Sequence, residues 1–374
     1  MMKKRARDYG FTFEGKCGEF NAITDVSGVE VGYTTLIRGV PAVNTEIDPD
    51  FARTGVTAIL PRGKRRSAVF AGRFDFNGNG ELTGTHWIDD SGFLHGPILL
   101  TNTHSVGTVR DAATKWIVKN KFYYPSHDTG DFVEGPGFFY PVVGETFDGS
   151  LNYIDGFAVK TEDAWAALDN AKSGHIEEGN VGGGTGMRCH GFKGGTGTAS
   201  RVLPPEAGGY TVGALVQANH GTRDSFQFRG VHIGRELKGF EEIIHDACIH
   251  PGDGSIIVVL ATDAPVMPWQ LKKMCRRVSL GLADLGGGCE NGSGDIFIAF
   301  STGNDNSFTF TKTTVEILGD ESMDPIYRAV EQVVEEAIMN ALVAAEDMTG
   351  YNLNFSPGMP SEEIVEILKK HGRL

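Results

Sequence analysis

Glycine recurs in short clusters along this chain, and this distribution constrains the fold more than any other feature of the sequence. The chain has 51 glycines among 374 residues, roughly double the usual share of about 7%. They form clusters, densest over residues 179–197, and no regular repeat. Collagen-like and low-complexity folds are therefore excluded. Dense glycine in a chain that is 40% hydrophobic predicts many tight turns and places where backbone closely approaches backbone or ligand.

Charge excludes one large class of partners. The net charge is −14, and the chain opens with a short basic run at residues 3–7. A nucleic-acid surface requires clustered Lys and Arg, so no nucleic-acid partner is expected.

No apolar segment approaches the roughly 18 residues of a membrane span, and no apolar stretch follows the basic start as it would in a secretory signal. No membrane partner is expected.

The cysteines and histidines form no recognised metal or disulfide pattern. Five scattered cysteines without a CxxC pair are typical of reduced thiols in the cytosol, and a cytoplasmic location is predicted. The closest grouping of potential ligands is His245, Cys248 and His250, which lacks the spacing of a zinc motif. The sequence therefore predicts neither a metal nor a cofactor.

The pattern of apolar residues predicts a mixed α/β fold. Short strands are predicted at residues 55–60, 97–100 and 210–216, and helices at 108–119 and 161–172. The β-branched run at 256–260 indicates a strand buried on both faces. A helix should begin at Pro268, strands should cover 295–302 and 307–318, and a long helix should begin at Asp324 and Pro325. A short last helix should be capped by Ser361. No linker divides the chain, so one domain over 1–374 is expected.

Gly254 and Ser255 stand immediately before the buried strand. A hydroxyl beside an unhindered glycine carbonyl can attack that carbonyl, shift the acyl group from nitrogen to oxygen and let water complete a cut. The freed α-amine of Ser255, with an ordinary pKa of roughly 7.7–8.0, would then serve as a base for its own hydroxyl. On these residues alone, a tight turn entering a core strand, with Ser255 as an ordinary strand-start residue, is the more common arrangement.

Four further residues have the chemistry to support a nucleophile. Ser293 and Asp295 lie two apart at a strand start and should share one face, where a carboxylate can orient a hydroxyl. Asn219 follows a strand and can donate to an oxyanion, and Glu145 can bind an ammonium group. Each also fits an ordinary role in a turn or on the surface.

Two glycine-rich stretches, residues 182–187 and 194–198, lack the spacing of nucleotide-binding loops. They indicate backbone packing or the wall of a site. A GxSxG nucleophile elbow is also absent from the sequence, which disfavours an α/β-hydrolase.

Taken together, several segments resemble the autoproteolytic serine aminopeptidases, the family of the L-aminopeptidase/D-amino-acid esterase-amidase and the β-peptidyl aminopeptidases. The most specific is the GDGSIIVV run at 252–259 that continues to Pro265. The others, which follow in order along the chain, are residues 55–61, 102–107, 141–148, 179–187, 192–201, 216–221 and 292–302.

This resemblance implies a four-layer αββα sandwich, like that of N-terminal-nucleophile hydrolases but with different connectivity. It implies self-cleavage between Gly254 and Ser255 into an α subunit, 1–254, and a β subunit, 255–374. The cleaved heterodimers would assemble into a homo-oligomer. The enzyme would release N-terminal amino acids from small peptides, amino-acid amides or esters through an acyl-enzyme on Ser255.

The resemblance also assigns the supporting residues. It implies that Ser293 and Asp295 support the nucleophile, that Asn219 stabilises the oxyanion and that Glu145 binds the substrate ammonium. Two departures stand out. Asp295 replaces the glutamate of better-known members, and Phe147 stands where one member type has a tyrosine hydroxyl in its oxyanion hole. Here a backbone amide or a water would have to replace that hydroxyl, unless the donor is simply missing.

Two alternatives remain open from the sequence. An aminoacyl or acetyl transferase with this fold would pass the acyl group to an amine in place of water. A non-catalytic ligand-binding or assembly protein would keep the fold without cleavage. Acyl transfer to added acceptors identifies the first, and an uncut, inactive chain identifies the second.

Overall fold

Two β-sheets dominate the computed structural model, which describes residues 3–43, 46–122, 138–245, 254–305, 307–309 and 312–374. The smaller sheet has four strands in the order β1-β2-β5-β6. Its strands are β1 (Glu30–Arg38), β2 (Ala52–Leu60), β5 (Ile98–Asn102) and β6 (Val142–Thr146). Neighbouring strands are antiparallel except β5 and β6, which run parallel.

The larger sheet has six strands in the order β4-β3-β12-β11-β10-β9. They are β3 (Val69–Gly78), β4 (Phe93–Leu94), β9 (Gly195–Val202), β10 (Thr211–Asn219), β11 (Ser255–Thr262) and β12 (Gly294–Ser301). The two central strands, β11 and β12, are parallel, and the other pairs are antiparallel. Two strand pairs lie outside these sheets, namely β7 (Arg188–Cys189) with β8 (Phe192–Lys193), and β13 (Met348–Thr349) with β14 (Phe355–Ser356).

Helices cover the outer face of each sheet. The long helices α5 (Pro268–Asp284) and α6 (Asp324–Ala344) pack on the six-stranded sheet, while α2 (Val106–Lys119) and α3 (Thr161–Asp169) pack on the four-stranded sheet. The shorter helices are α1 (Thr85–Ser91), α4 (Ile233–Glu236) and α7 (Ser361–Lys370).

Three apolar clusters correspond to the three interfaces between these layers. One lies beneath α5 and α6, one beneath α2 and α3, and the third between the two sheets. The four-layer αββα sandwich implied by the family resemblance is therefore confirmed.

Strand β11 shows why its sequence is apolar at every position. Ile256 and Val258 belong to the cluster beneath the helices, whereas Ile257 and Val259 belong to the cluster between the sheets. Side chains alternate between the two faces of a strand, and both faces of β11 are covered. The prediction of a strand buried on both faces is confirmed, and Ser255 is its first residue.

Most predicted elements are present, with two exceptions. No strand forms at 307–309 or 312–318, the described part of the predicted strand at 307–318. Most of residues 312–318 are exposed, and Val315 and Leu318 pack only partly against the cluster beneath the helices, with no described strand beside them. Helix α3 ends at Asp169 and not at residue 172, because Lys172 pairs with Val31 in an isolated bridge.

The last helix differs in a small detail. Ser361 is its first residue and not its cap, since Pro360 takes the capping position. The helix after Asp324 and Pro325 forms as expected, with its apolar stripe buried. No helix among the described residues has the length and apolarity needed to cross a membrane. The four described cysteines, Cys17, Cys189, Cys275 and Cys289, are free thiols.

Candidate active site

Ser255 lies at the open end of the larger sheet, between two partners on neighbouring strands. It is opposite Asn219 of β10 and level with Gly294 of β12. Because side chains alternate, its hydroxyl shares the face of Ile257 and lies between the two sheets. The residue is only 7% exposed. The side chain predicted to be the nucleophile is therefore largely shielded from bulk water.

The Gly294 amide is a hydrogen-bond donor at the predicted cleavage site. It lies 3.1 Å from Ser255 Oγ and 3.3 Å from the carbonyl oxygen of Gly254, so both atoms share one donor. A side chain at position 294 would not fit. Its Cβ would stand 2.9 Å from Ser255 Oγ and 2.1 Å from the Asn79 carbonyl oxygen. Glycine is required here so that the backbone can approach the hydroxyl.

The Asn219 side chain is held in one orientation by two backbone contacts. Its Oδ1 accepts the Arg188 N–H at 2.8 Å, and its Nδ2 donates to the Phe147 carbonyl oxygen at 3.0 Å. The first contact also identifies the oxygen end of the amide, because only that end can accept. An NH₂ group has two hydrogens, so one hydrogen of Nδ2 remains for another acceptor beside Ser255.

Phe147 takes part in the site through its backbone. Its carbonyl oxygen holds Asn219, while its ring is 41% exposed. A phenylalanine ring has no hydroxyl to donate, so the donor that the resemblance placed at this position is missing from the side chain. A backbone donor is present beside Ser255 instead, because the Gly294 N–H donates a hydrogen bond to Ser255 Oγ.

Ser293 and Asp295 form the hydrogen-bonded pair expected from their spacing. Ser293 Oγ donates to Asp295 Oδ1 at 2.6 Å. Burial raises the pKa of Asp295 to about 6, although hydrogen bonds from Ser293 and from the Ile256 amide oppose this shift. Asp295 is therefore ionised at neutral pH and loses its charge just below it.

The position of this pair relative to Ser255 was not evident from the sequence. Asp295 lies on the strand face that Phe297 shares, towards the helices, while the Ser255 hydroxyl lies on the other face. No hydrogen bond joins Ser255 Oγ to Ser293 or Asp295 among the contacts described. Asp295 instead accepts a hydrogen bond from the Ile256 amide of β11. Ile256 directly follows Ser255, whose nitrogen cleavage would free.

Glu145 lies in β6 of the smaller sheet, and both of its oxygens are held. The Glu81 N–H donates to Oε1 at 3.0 Å, and the Thr103 hydroxyl donates to Oε2. The residue is 4% exposed, and burial raises the pKa of its carboxyl group, while both hydrogen bonds oppose the rise. A buried carboxylate with a raised pKa gains stability when a cation binds beside it.

Gly80 connects the Glu145 carboxylate to the Ser255 side of the site. A Cβ at position 80 would stand 3.0 Å from Glu145 Oε1 and 3.8 Å from the Gly294 Cα. Gly294 in turn contacts Ser255 Oγ through its amide. The Glu145 carboxylate of the smaller sheet therefore lies beside Gly80, and the Ser255 hydroxyl of the larger sheet lies beside Gly294.

Three groups of the site were not singled out from the sequence. They are the Thr103 hydroxyl, the Gly294 amide and the Arg188 amide. Thr103 lies in residues 102–107, one of the segments that resembled the family, but no pattern marks its hydroxyl. Backbone amides carry no sequence signal at all, so only the register of the strands could reveal them.

His245, Cys248 and His250, a grouping without the spacing of a zinc motif, are only partly described. His245 is described, whereas Cys248 and His250 lie outside the described residues. Another group with metal-binding chemistry, Cys189, His190 and His220, lies directly behind Asn219.

The fold agrees with that of the relatives of this chain. The sequence profile of peptidase family S58 matches residues 21–355. The β-peptidyl aminopeptidase BapA of Sphingosinicella microcystinivorans is 48% identical over 99% of this chain and 93% of that protein.

Two solved structures superpose on the whole chain. The L-aminopeptidase D-Ala-esterase/amidase of Ochrobactrum anthropi, described as a prototype of the serine aminopeptidases and a new variant of the Ntn hydrolase fold, has a TM-score of 0.88 at 45% identity and covers all of both chains. The β-aminopeptidase of a Burkholderia species has a TM-score of 0.86 at 42% identity over 99% of both chains.

Proposed function

This chain belongs to peptidase family S58, and from that premise we propose that it is a serine aminopeptidase that activates itself by cleavage between Gly254 and Ser255. The observation that carries the proposal is the position of Ser255. Its hydroxyl adjoins the Gly254 peptide, shares the Gly294 amide with that peptide's carbonyl and faces Asn219 across the strand pair.

Self-cleavage uses atoms already adjacent in the uncut chain. Ser255 Oγ attacks the Gly254 carbonyl carbon and gives its proton to the departing Ser255 nitrogen, so that the amide becomes an ester. The Gly294 amide, 3.3 Å from the Gly254 oxygen, stabilises the negative charge that develops there. Water then hydrolyses the ester, which leaves a carboxylate on Gly254 and both a free α-amine and a free hydroxyl on Ser255.

Substrate turnover repeats this chemistry on another molecule. The α-amine of Ser255 takes the hydroxyl proton while Oγ attacks the substrate carbonyl, and the free hydrogen of Asn219 Nδ2 stabilises the oxyanion. The proton passes to the leaving amine or alcohol, and water releases the acyl group. We assign to Ser293 and Asp295 the support of this end of β11, through the Ile256 amide.

Glu145 makes the enzyme an aminopeptidase in this account. Its carboxylate, fixed by Thr103 and Glu81, binds the free ammonium group of the substrate and so selects molecules with an unblocked amine. Small peptides, amino-acid amides and esters all present an ammonium close to the carbonyl. The names of the relatives, which include β-peptidyl, L-amino-acid and D-Ala substrates, support this substrate class.

The cleaved protein remains one structural unit. The α subunit, 1–254, contributes four strands and the β subunit, 255–374, two strands to the larger sheet. Strand β11 pairs with β10 across this division, and β12 pairs with β3. One αββα domain therefore persists after the cut, and we propose that these heterodimers associate into a homo-oligomer.

A substrate panel tests the proposal. Aminoacyl p-nitroanilides of α-L, α-D and β configuration should be hydrolysed when their amine is free and hardly at all when it is N-acetylated. Equal rates on the free and acetylated forms would contradict the aminopeptidase assignment. Preferential formation of new amide bonds with added amino-acid acceptors would identify a transferase instead. An uncut and inactive chain would identify a non-catalytic member of the fold.

A further inference from the structure

Three side chains with metal-ligating atoms lie close together next to Asn219, the residue proposed to stabilise the oxyanion. Cys189 ends β7, His190 follows it in the turn to β8, and His220 follows Asn219 at the end of β10. All three are buried, at 1%, 0% and 2% exposure. None of them takes part in the reaction proposed above.

The distances within this group suit one shared ion. Cys189 Sγ lies 3.7 Å from Nδ1 and 3.9 Å from Nε2 of His220. One ligand atom from each of the three residues lies within 4.8 Å of the others. Zn–S bonds of about 2.3 Å and Zn–N bonds of about 2.0–2.1 Å, at a tetrahedral angle, place sulfur and nitrogen roughly 3.6 Å apart. Only small side-chain movements would be needed.

His190 has the tautomer that metal binding through Nε2 requires. Its Nδ1 lies 3.2 Å from the Thr222 carbonyl oxygen, so Nδ1 carries the hydrogen and Nε2 carries a lone pair. Nε2 is buried and has no hydrogen-bond partner among the described residues. A buried acceptor without a partner costs about 1–3 kcal/mol. Metal-binding histidines commonly donate their other ring N–H to a backbone carbonyl in this way.

Burial keeps both imidazoles neutral, as metal binding requires. It lowers the pKa of His190 to about 4 and that of His220 well below its ordinary value. Burial also raises the pKa of Cys189 to about 12, so the free thiol is protonated and a bound metal must displace its proton.

We propose that Cys189, His190 and His220 bind one thiophilic cation with a filled d shell, Zn²⁺ or Cu⁺. Cys189 loses its thiol proton to solvent as the sulfur–metal bond forms, and the two histidines bind through lone pairs. Soft thiolate and imidazole ligands suit both ions. This differs from the expectation of no metal, which rested on motif spacing and not on three-dimensional proximity.

The ion would stabilise the position of Asn219. The Arg188 N–H donates to Asn219 Oδ1. Cys189 directly follows Arg188, and His220 directly follows Asn219, so two of the proposed ligands adjoin this hydrogen bond. Metal binding would therefore tie the end of β7 to the end of β10 directly behind the oxyanion donor. This consequence rests on the proposed function, but metal binding itself does not.

Elemental analysis of untagged protein tests the site. The Ser255→Ala variant should be used alongside the wild type, so that metal binding is measured independently of cleavage and activity. Each protein is incubated with Zn²⁺, or with Cu⁺ under reducing conditions, and then desalted. We expect one bound equivalent of at least one of these ions per chain and a rise in Tm. Co²⁺ should give a sulfur-to-metal charge-transfer band.

Matched variants identify the ligands. Cys189→Ser and His220→Phe should each lose the bound equivalent and the rise in Tm. Cys275→Ser, at a buried thiol of α5 that donates to the Gly72 carbonyl, should keep both. The proposal would be overturned by less than a tenth of an equivalent of either ion on the wild type. Undiminished metal on both folded ligand variants would equally overturn it.

Discussion

The Gly294 amide lies 3.1 Å from Ser255 Oγ and 3.3 Å from the Gly254 carbonyl oxygen. One donor thus contacts both the attacking atom and the oxygen that would become negative. The parallel pairing of β11 and β12 sets this geometry, because it aligns Gly294 with Ser255. The proposed self-cleavage therefore depends on strand register as well as on the serine itself.

Removing the Nδ2 donor of Asn219 should lower kcat with little effect on KM. The lost stabilisation of the oxyanion corresponds to about 10²–10³-fold in kcat where such donors have been removed. Asn219→Asp keeps the size and can still accept the Arg188 N–H, yet it should be as impaired as Asn219→Ala. Full kcat in either variant, measured on protein that has been cleaved, would exclude Asn219 as the donor.

The charge of Asp295 should appear in the pH profile. The α-amine of Ser255 must be neutral to act as a base, so log kcat should fall with a slope of one below its pKa of roughly 7.7–8.0. Below pH 6, Asp295 also becomes protonated, because burial raises its pKa to about 6. The slope should then approach two.

Asp295→Asn should keep a slope of one throughout the acidic range and have a lower kcat. Asp90→Asn, at an exposed carboxylate of α1, serves as the control and should follow the wild type. A wild-type slope that stays at one to pH 5 would remove Asp295 from the reaction.

Glu145→Gln should reduce kcat/KM for free-amine substrates by about ten- to a hundredfold. A hydrogen bond to a charged group contributes roughly 1.5–3 kcal/mol, and about 1.4 kcal/mol corresponds to one decade. Activity on the N-acetylated substrate, already low, should hardly change, so the ratio between the two substrates should narrow. Glu81→Gln alters a nearby exposed side chain and should preserve the ratio. An unchanged ratio in Glu145→Gln would assign amine recognition elsewhere.

Thr103 should act by positioning Glu145. Thr103→Val keeps the shape but removes the hydroxyl that donates to Glu145 Oε2, so the pKa of Glu145 should rise further and the carboxylate should lose its orientation. KM for free-amine substrates should increase, most strongly at low pH, while kcat changes little. Thr103→Ser should restore the wild-type KM. A kcat defect that serine does not rescue would indicate a purely structural role.

The sequence predicted the local parts of this protein better than their spatial relations. An uninterrupted β-branched run located β11, and helical periodicity located the two long helices, since each helix buries a regular set of apolar residues. The predicted strand at 307–318 does not form in the described part of that range, where Val315 and Leu318 pack partly against the core without a neighbouring strand. The spacing of Ser293 and Asp295 predicted that they pair. It did not predict that Asp295 lies on one face of the sheet and the Ser255 hydroxyl on the other.

Contacts between the sheets could not be predicted from spacing or periodicity, and only the family resemblance assigned Glu145 and Ser255 to one site. Glu145 and Ser255 are 110 positions apart, yet Gly80 lies beside both the Glu145 carboxylate and Gly294, and the Gly294 amide contacts Ser255 Oγ. Cys189 and His220 are likewise close in space although no rule of sequence spacing connects them. Such relations depend on strand order and register, which a single sequence leaves undetermined.

The identity of the new N-terminus tests the central claim most directly. Purified active protein should separate under denaturing conditions into fragments 1–254 and 255–374, and sequencing of the smaller should read Ser-Ile-Ile-Val. Ser255→Ala should remain uncut and inactive, whereas Ser255→Cys should still cut, because a thiol can perform the same shift. An active preparation whose smaller fragment begins at any other residue, or an alanine variant that cleaves cleanly, would contradict the assignment of Ser255.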